Sequence, residues 1–183
     1  MFKVVRSEVT YEGHLGRIRV DTVAFGDGEH QREIAEHLDA VGIVAIDDDD
    51  RVVLVRQYRH AVSGQLLEIP AGLCDVHGEE PADTAHRELA EEVGLAADSL
   101  VELMTFHNSA GWTDESTTLY LATGLRRVDR PDGFTAEAEE AGMTVERVPF
   151  ADAVAAAIAG RVPDAKTLVG LLLAAARRAG PQD

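Results

Sequence analysis

Cysteine, aromatic residues and long apolar runs are scarce in this chain of 183 residues. Because Cys74 is the single cysteine, neither an intrachain disulfide nor a cysteine cluster around a metal can form. No apolar run approaches the ~20 residues that a membrane-spanning helix requires. The N-terminal sequence MFKVVRSEVTYEG also lacks the apolar centre of a signal peptide. These absences predict a cytoplasmic protein.

Positive charge is scarce as well: the chain holds 17 Lys and Arg against 33 Asp and Glu, a formal net charge of -16. This balance argues against nucleic acid or an anionic membrane as the main partner, since both require a basic surface. An anionic substrate would need metal ions and a few placed arginines to offset the repulsion. The length and the 45% hydrophobic content suit one globular domain with a proper core.

One stretch, residues 81–94, has the periodicity of an amphipathic helix. Its apolar positions recur every three or four residues, at Ala82, Ala85, Leu89 and Val93. Pro81 suits the first helical turn and Gly94 suits the helix end. Glu88, Glu91 and Glu92 share a neighbouring face and repel one another. They form either a solvated acidic face or part of a site for a hard cation such as Mg²⁺, which takes oxygen ligands.

The order of residues around these glutamates resembles the Nudix box, G-x5-E-x7-R-E-U-x-E-E-x-G-U, in which U is aliphatic. Glu79 and, after seven further residues, the run RELAEEVGL from Arg87 to Leu95 match every fixed position of the second half. Six residues separate Gly72 from Glu79, so the loop 73–78 carries a one-residue insertion. A match of this length is far more specific than a single glycine motif.

Short runs beside the box resemble the ADP-ribose pyrophosphatase branch of the Nudix family. This resemblance implies hydrolysis of ADP-ribose to AMP and ribose 5-phosphate, with Mg²⁺, or alternatively Mn²⁺, as the cofactor. It implies that the metal ligands are Glu88, Glu91, Glu92 and the backbone carbonyl of Ala71. Arg87 would orient the glutamates through charged hydrogen bonds. Glu79 is better interpreted as an acid that supports the helix from outside the ligand set.

The same resemblance identifies substrate-binding candidates ahead of the box. Arg56, Gln57 and Arg59 lie where an apolar strand ends, in a Gln-Tyr-Arg run typical of this branch. An arginine fork suits a phosphate or stacks on a base, whereas the alternative is plain surface charge. Glu68 lies between Leu67 and Ile69, and buried acids are rare without a partner. A role in the substrate or metal site is favoured for Glu68 over a structural salt bridge.

Two loops after the box hold the remaining candidates. The loop 107–115 resembles family loops that touch the substrate, sometimes across a dimer interface, and its candidates are Trp112 and Glu115. In the polar loop 126–142, the resemblance implies a general base or late metal ligand at Glu140, or at Glu139 if the register differs. Its acidic composition, which includes Glu137, by itself indicates only a solvated loop.

The order of elements predicts an α/β protein, and the resemblance makes it a Nudix-type α/β/α sandwich with a mixed sheet over residues 39–183. Residues 1–38 form an N-terminal β segment with predicted strands at 3–10 and 15–23, while 31–38 is compatible with a strand or a helix. A lone hairpin is marginal in water, and the resemblance implies that this segment forms a homodimer. The acidic run Asp47–Asp50 is interpreted as a hairpin turn rather than a metal site.

Three other functions remain open from the sequence. The first is a Nudix hydrolase for another nucleotide sugar or for a dinucleotide. The second is a non-catalytic Nudix-like ligand sensor, which usually has an eroded box, whereas this chain keeps all three glutamates of the acidic face. The third is an acidic oligomerisation domain without any nucleotide substrate.

Overall fold

The computed structural model describes residues 2–130 and 142–180, and the chain divides into two compact units. The first unit comprises residues 1–39 and 106–117, and the second comprises residues 40–105 and 118–183. The segment 106–117 therefore belongs with the N-terminal residues, although the sequence placed it within the range 39–183. No helix among the described residues is both long enough and apolar enough to span a bilayer.

The first unit is built on an antiparallel sheet with the order β1-β2-β3, whose strands are β1 Lys3–Glu12, β2 Gly16–Phe25 and β3 Gly28–His37. The two predicted strands correspond to β1 and β2. The stretch 31–38, whose structure the sequence left undecided, lies almost wholly in β3. Strand β3 pairs with β2 from Gly16↔His37 to Phe25↔Gly28. The segment therefore has three strands rather than the two of a hairpin.

The segment 106–117 is tied to β3 and the residues after it. The N–H of Ala35 donates to the carbonyl of Trp112 at 2.8 Å. The N–H of His37 donates to Asp114 at 3.1 Å, and the N–H of Ser116 donates to Asp39 at 2.8 Å. These contacts explain why this loop groups with the N-terminal sheet.

The second unit contains a seven-stranded sheet with the order β10-β5-β4-β9-β8, in which β6 pairs with β5 and β7 pairs with β4. The strands are β4 Ala40–Ile46, β5 Arg51–Arg59, β6 Gly64–Glu68, β7 Ala71–Leu73, β8 Leu95–His107, β9 Ser116–Arg127 and β10 Thr144–Pro149. A short 3-10 turn, His60–Val62, connects β5 to β6.

Three helices accompany this sheet: α1 Pro81–Val93, α2 Phe150–Ile158 and α3 Ala165–Ala179. Side chains of β4 alternate between two faces. Ile43 packs in one core cluster with Leu89 of α1, whereas Val44 lies so close to Gly170 of α3 that a Cβ there would come within 2.8 Å of it. Helices α1 and α3 therefore cover opposite faces of β4, which is the α/β/α arrangement predicted.

Helix α1 is bounded by the residues that the sequence indicated. Pro81 occupies its first turn, where a missing N–H costs nothing. Gly94 ends it with φ 65°, and its N–H donates to the carbonyl of Ala90 at 3.0 Å. A left-handed backbone at this position favours glycine. The predicted helix is confirmed.

The acidic run between β4 and β5 is a hairpin turn, as expected. Asp47 accepts hydrogen bonds from the N–H groups of Asp49 and Arg51 at 3.1 and 2.9 Å. Arg147 of β10 donates to the other oxygen of Asp47 at 2.7 Å. Asp50 takes a left-handed conformation with φ 58°, which aspartate tolerates better than most residues. The turn is therefore held by the side chain of its first acid.

Candidate active site

Helix α1 turns Glu88 and Glu92 inward, where they are only 9% and 6% exposed. Strand β7 passes so close to the helix that a Cβ at Gly72 would overlap the Glu88 carboxyl group. Glycine at this position therefore makes room for a buried carboxylate. Buried acids are uncommon and require a partner, so this pair marks a specialised site.

Arg87 joins the carboxylates of Glu79, Glu88 and Glu91 into one network. One terminal nitrogen, Nη1, donates to Glu88 at 2.6 Å and to Glu91 at 3.1 Å. The other, Nη2, donates to Glu79 at 3.2 Å. Thr84 donates a further hydrogen bond to Glu79 at 2.8 Å. Charge-assisted hydrogen bonds of this kind fix orientation as well as adding energy.

The carboxylates of this network differ in how their charge is compensated. Burial, reinforced by the nearby charge of Glu91, raises the pKa of Glu88 to about 7 despite the opposing effect of Arg87. Hydrogen bonds from Arg87 and Thr84 hold the pKa of Glu79 below its ordinary value. Burial alone would lower the pKa of Arg87, but the surrounding carboxylates outweigh it and raise that pKa. Glu79 is thus matched by a cation, whereas Glu88 is under-compensated.

Glu92 is held from the strand side. The N–H of Ala71 donates to Glu92 Oε2 at 3.0 Å, and the preceding carbonyl, that of Pro70, accepts from the N–H of Ile43 at 2.8 Å. These bonds fix the backbone on both sides of the Pro70–Ala71 peptide. The structure thus brings Ala71, Glu88 and Glu92 together around β7 and α1.

Glu68 has no exposed surface and is paired with two cationic side chains. Arg59 donates to its two oxygens through Nε and Nη2, each at 2.9 Å, and Lys166 of α3 donates to the same carboxylate. Burial alone would raise the pKa of Glu68, but Arg59 and Lys166 outweigh it and hold that pKa below its ordinary value. Glu68 thus has the contacts of a buried salt bridge, the alternative weighed from the sequence.

The remaining β5 candidates have different surroundings. Arg56 donates to Glu146 of β10 at 2.6 Å, and both side chains are partly exposed. Gln57 is only 4% exposed, and its Nε2 has no hydrogen-bond partner among the described residues. An unsatisfied buried amide is costly, so Gln57 is the better marker of a polar ligand.

A comparison with protein families identifies the domain that contains helix α1 and strand β7. A family model for the NUDIX domain matches residues 36–168. The chain belongs to the Nudix family. The predicted family is therefore confirmed.

Relatives of this Nudix protein extend over most of the chain. It is 43% identical to an ADP-ribose pyrophosphatase from Mycobacterium tuberculosis, over 93% of this chain and 82% of the relative. It is 32% identical to a methanol dehydrogenase activator from Bacillus methanolicus, over 92% of this chain and 90% of the relative. A solved structure of an ADP compounds hydrolase superposes with a TM-score of 0.81 at 24% identity, covering 96% of this chain and 93% of that one. This likeness confirms the predicted fold class.

The donor chemistry of the Nudix helix fits a hard divalent cation. The carboxylate oxygens of α1 and the carbonyl oxygen of Ala71 in β7 are ligands that Mg²⁺ and Mn²⁺ accept, and Gly72 opens the space that a Cβ would fill. Within residues 2–130 and 142–180, however, no three carboxylate, histidine or cysteine side chains already converge as a metal site. Instead, Arg87 donates hydrogen bonds to Glu88 and Glu91, and the Ala71 N–H donates one to Glu92.

Four predicted residues belong to the first unit or fall outside the described residues. Trp112 belongs to the first unit and is 48% exposed. Glu115 is in the same unit, with one oxygen 3.7 Å from Nδ1 of His37. Glu139 and Glu140, like Glu137, fall outside the described residues.

The extra residue of the Nudix box lies in the stretch 73–78, which connects β7 to the residues before α1. Arg87 Nη2 donates to the carbonyl of Leu73 at 3.3 Å and to Asp75 at 3.1 Å. Gly78 turns the chain with φ 82°, and α1 still begins at Pro81. The extra residue therefore lies before the helix, and α1 keeps the start that Pro81 predicts.

Several residues around the site were not identified from the sequence. Asp75 contacts Arg87, Lys166 contacts Glu68, and Thr167 contacts Ile69. Asp164 in turn contacts Lys166 and Thr167. Asp164 is a residue type that helix N-termini prefer, so the sequence does carry a signal for the beginning of α3 at the next residue. No local pattern could have revealed its contacts with residues almost a hundred positions earlier.

Proposed function

We propose that this protein is a Mg²⁺-dependent ADP-ribose pyrophosphatase, with Mn²⁺ as the alternative metal. Water adds to one phosphorus of the diphosphate, the bridging P–O bond breaks, and AMP and ribose 5-phosphate leave. The observation that carries the proposal is the buried pair Glu88 and Glu92 beside Ala71 and Gly72. The choice of substrate is supported by 43% identity with the Mycobacterium tuberculosis ADP-ribose pyrophosphatase.

The metal would be held by Glu88, Glu91, Glu92 and the carbonyl of Ala71. A bound divalent cation polarises the diphosphate and stabilises the negative charge that develops in the reaction. Arg87 would orient Glu88 and Glu91 through the two hydrogen bonds of its Nη1. Support for this ligand set comes from the under-compensated charge of Glu88, which a cation would match.

The substrate would be bound by side chains near the end of β5. Arg59 is half-buried and held by Glu68 through Nε and Nη2, so its guanidinium is pre-oriented for a phosphate. Gln57 would donate its Nε2 hydrogens to the same ligand, which would satisfy a buried donor. Arg56 is a further candidate, although its guanidinium is already paired with Glu146.

Other assignments remain proposals. Glu140, or Glu139, would act as the general base that receives the proton of the attacking water. Contact of Trp112 and Glu115 with the substrate stays a prediction, as does a homodimer acting in the cytoplasm. A preference for another nucleotide sugar or a dinucleotide is the competing hydrolase activity.

The first test is steady-state hydrolysis across ADP-ribose, other nucleoside diphosphate sugars and dinucleotides, with products separated by ion-exchange chromatography. ADP-ribose should give the highest kcat/KM and yield AMP, and removal of Mg²⁺ with EDTA should abolish the reaction. The double variant Glu88→Gln/Glu92→Gln should lose at least about a hundredfold in kcat, since metal catalysis contributes several kcal/mol.

Glu80→Gln is the matched control, because Glu80 is an exposed acid at the start of the same helix and makes no capping hydrogen bond. Equal rates on all substrates would refute the ADP-ribose assignment. A double variant as active as the unmodified protein would refute the metal ligands. No product from any substrate would refute the enzymatic role and favour a non-catalytic Nudix-like ligand sensor.

A further inference from the structure

The first turn of α3 is hydrogen-bonded to the chain just before the Nudix box. Asp164 caps the helix by accepting from the N–H of Thr167 at 2.9 Å. The Thr167 hydroxyl donates to the same carboxylate at 2.5 Å and accepts from the N–H of Ile69 at 2.9 Å. Thr167 is 1% exposed, so no water competes for these bonds. The buried N–H of Ile69 therefore depends on one side chain of α3.

The neighbouring residue Lys166 reaches the same segment from the same turn. Its Nζ donates to the buried carboxylate of Glu68 and, at 2.9 Å, to Asp164. Glu68 also accepts both hydrogen bonds from Arg59. Two cations and two carboxylates thus alternate from β5 through β6 to α3, and removing one cation would leave a buried acid with half its compensation.

The segment held in this way leads directly to the proposed active site. After Ile69, the carbonyl of Pro70 accepts from Ile43 and the N–H of Ala71 donates to Glu92. Each residue from Glu68 to Ala71 is therefore fixed by a contact outside its own stretch. Glu68 orients Arg59, while Ile69 and Pro70 set the position of Ala71.

We propose that the first turn of α3 is a positioning element of the active site: Thr167 fixes the backbone of Ile69–Ala71, and Lys166 fixes Glu68 and, through it, Arg59. The inference rests on the proposed ADP-ribose hydrolysis for its kinetic consequences. Neither residue needs to touch the substrate. Replacing Lys166 and replacing Thr167 should have different effects. Lys166 acts on Arg59, which is proposed to bind the diphosphate, whereas Thr167 acts on Ala71, which is proposed to bind the metal.

The test uses two variants of the full chain, each with a conservative partner. Lys166→Met should raise KM for ADP-ribose about tenfold with kcat changed less than about twofold, since Glu68, the carboxylate that orients Arg59, loses its charged hydrogen bond from Lys166. Lys166→Arg should restore KM. Thr167→Val should lower kcat about tenfold and raise the Mg²⁺ concentration at half-maximal rate, because a small displacement at a reacting centre is costly. Thr167→Ser should retain both values.

Arg178→Met is the matched control, since Arg178 lies in the last turn of the same helix and pairs with Asp50 at 2.7 Å. It should leave kcat, KM and the Mg²⁺ requirement unchanged. Melting temperatures separate general destabilisation from positioning. Variants that melt earlier but keep kcat, KM and the Mg²⁺ response would overturn the inference in favour of a purely structural contact.

Amide hydrogen exchange provides a readout that does not depend on turnover. Thr167→Val should speed exchange at both Ile69 and Ala71, whereas Thr167→Ser and Arg178→Met should not. Faster exchange at Ile69 alone would overturn the inference, because α3 would then not control Ala71. If the unmodified protein fails to hydrolyse ADP-ribose, the proposed function fails, while the exchange experiment still decides whether α3 positions this segment.

Discussion

Gly72 and Glu88 share a small volume between β7 and α1. A Cβ at Gly72 would overlap the Glu88 carboxyl group, yet the backbone of Gly72 does not have a positive φ. The requirement for glycine is thus a matter of space rather than of backbone conformation. The first glycine of the Nudix box therefore has a direct physical link to the first glutamate of the helix.

We expect Gly72→Ala to displace Glu88, with a loss of stability of about 1–3 kcal/mol from overpacking and at least a tenfold loss of hydrolysis. Thermal unfolding and steady-state rates measure the two effects. Gly111→Ala is the control, since a Cβ at Gly111 meets no atom within 4 Å.

A double-variant cycle tests whether the contact itself is responsible. In a Glu88→Ala background the obstructing carboxyl group is gone, so Gly72→Ala should then cost little stability. An equal cost in both backgrounds would show that something other than Glu88 excludes a side chain at position 72.

The β4–β5 turn is the clearest case of an acidic element with a structural role. Burial alone would raise the pKa of Asp47, but the N–H of Arg51 and the side chain of Arg147 outweigh it and lower that pKa. A carboxylate whose pKa is lowered in the folded state stabilises the protein above its ordinary pKa near 3.8. That contribution disappears as the pH falls through the folded-state pKa.

Asp47→Asn should therefore lower the free energy of unfolding at pH 7 by about 1 kcal/mol, without changing kcat or KM. The difference from the unmodified protein should shrink below pH 3.8 as the aspartate becomes protonated. Urea unfolding at several pH values measures both effects, with Asp48→Asn as the exposed control in the same turn. A loss that persists unchanged in acid would contradict the charge-based explanation.

Elements with a strong local signal could be predicted from the sequence, whereas those defined by distant partners could not. Helix α1 was recognisable because Pro81, Gly94 and the apolar period agree. Strand β3 was ambiguous because its first six residues are exposed, so only its pairing with β2 defines it. The start of α3 at Ala165 is marked by its cap, Asp164, a residue type that helix N-termini prefer.

The candidate site likewise has features that local sequence predicts and features that depend on distant contacts. Glu88, Glu91 and Glu92 stand in one helical period, so their common face follows from local geometry. Lys166 donates a hydrogen bond to Glu68, which lies 98 positions earlier in the sequence. The hydrogen bond from Ala71 to Glu92 joins a strand to a helix. Contacts of this kind depend on how elements pack, which a single sequence does not state.

At the scale of the whole molecule, the net charge of -16 works against an anionic substrate. Among the described residues, the two arginines proposed to bind the substrate are each oriented by one acid: Arg59 by Glu68, and Arg56 by Glu146. Local placement of cations therefore matters more here than the overall balance.

The N-terminal sheet has an exposed apolar edge strand, β1. Every residue of β1 is exposed, and β1 forms an edge of its sheet. Its exposed apolar side chains include Val5, Val9 and Tyr11, at 51%, 45% and 64%. A long apolar edge strand invites pairing with another chain, and the predicted homodimer would supply that partner.

We therefore expect light scattering after size-exclusion chromatography to give a mass of two chains for the unmodified protein. Val5→Lys/Val9→Lys should shift it to one chain, because each buried lysine would carry an unpaired charge into the interface. Ile158→Lys, on an exposed position of α2, should leave the mass unchanged. A single-chain mass for the unmodified protein would rule out the homodimer, and the exposed face of β1 would then predict aggregation at high concentration.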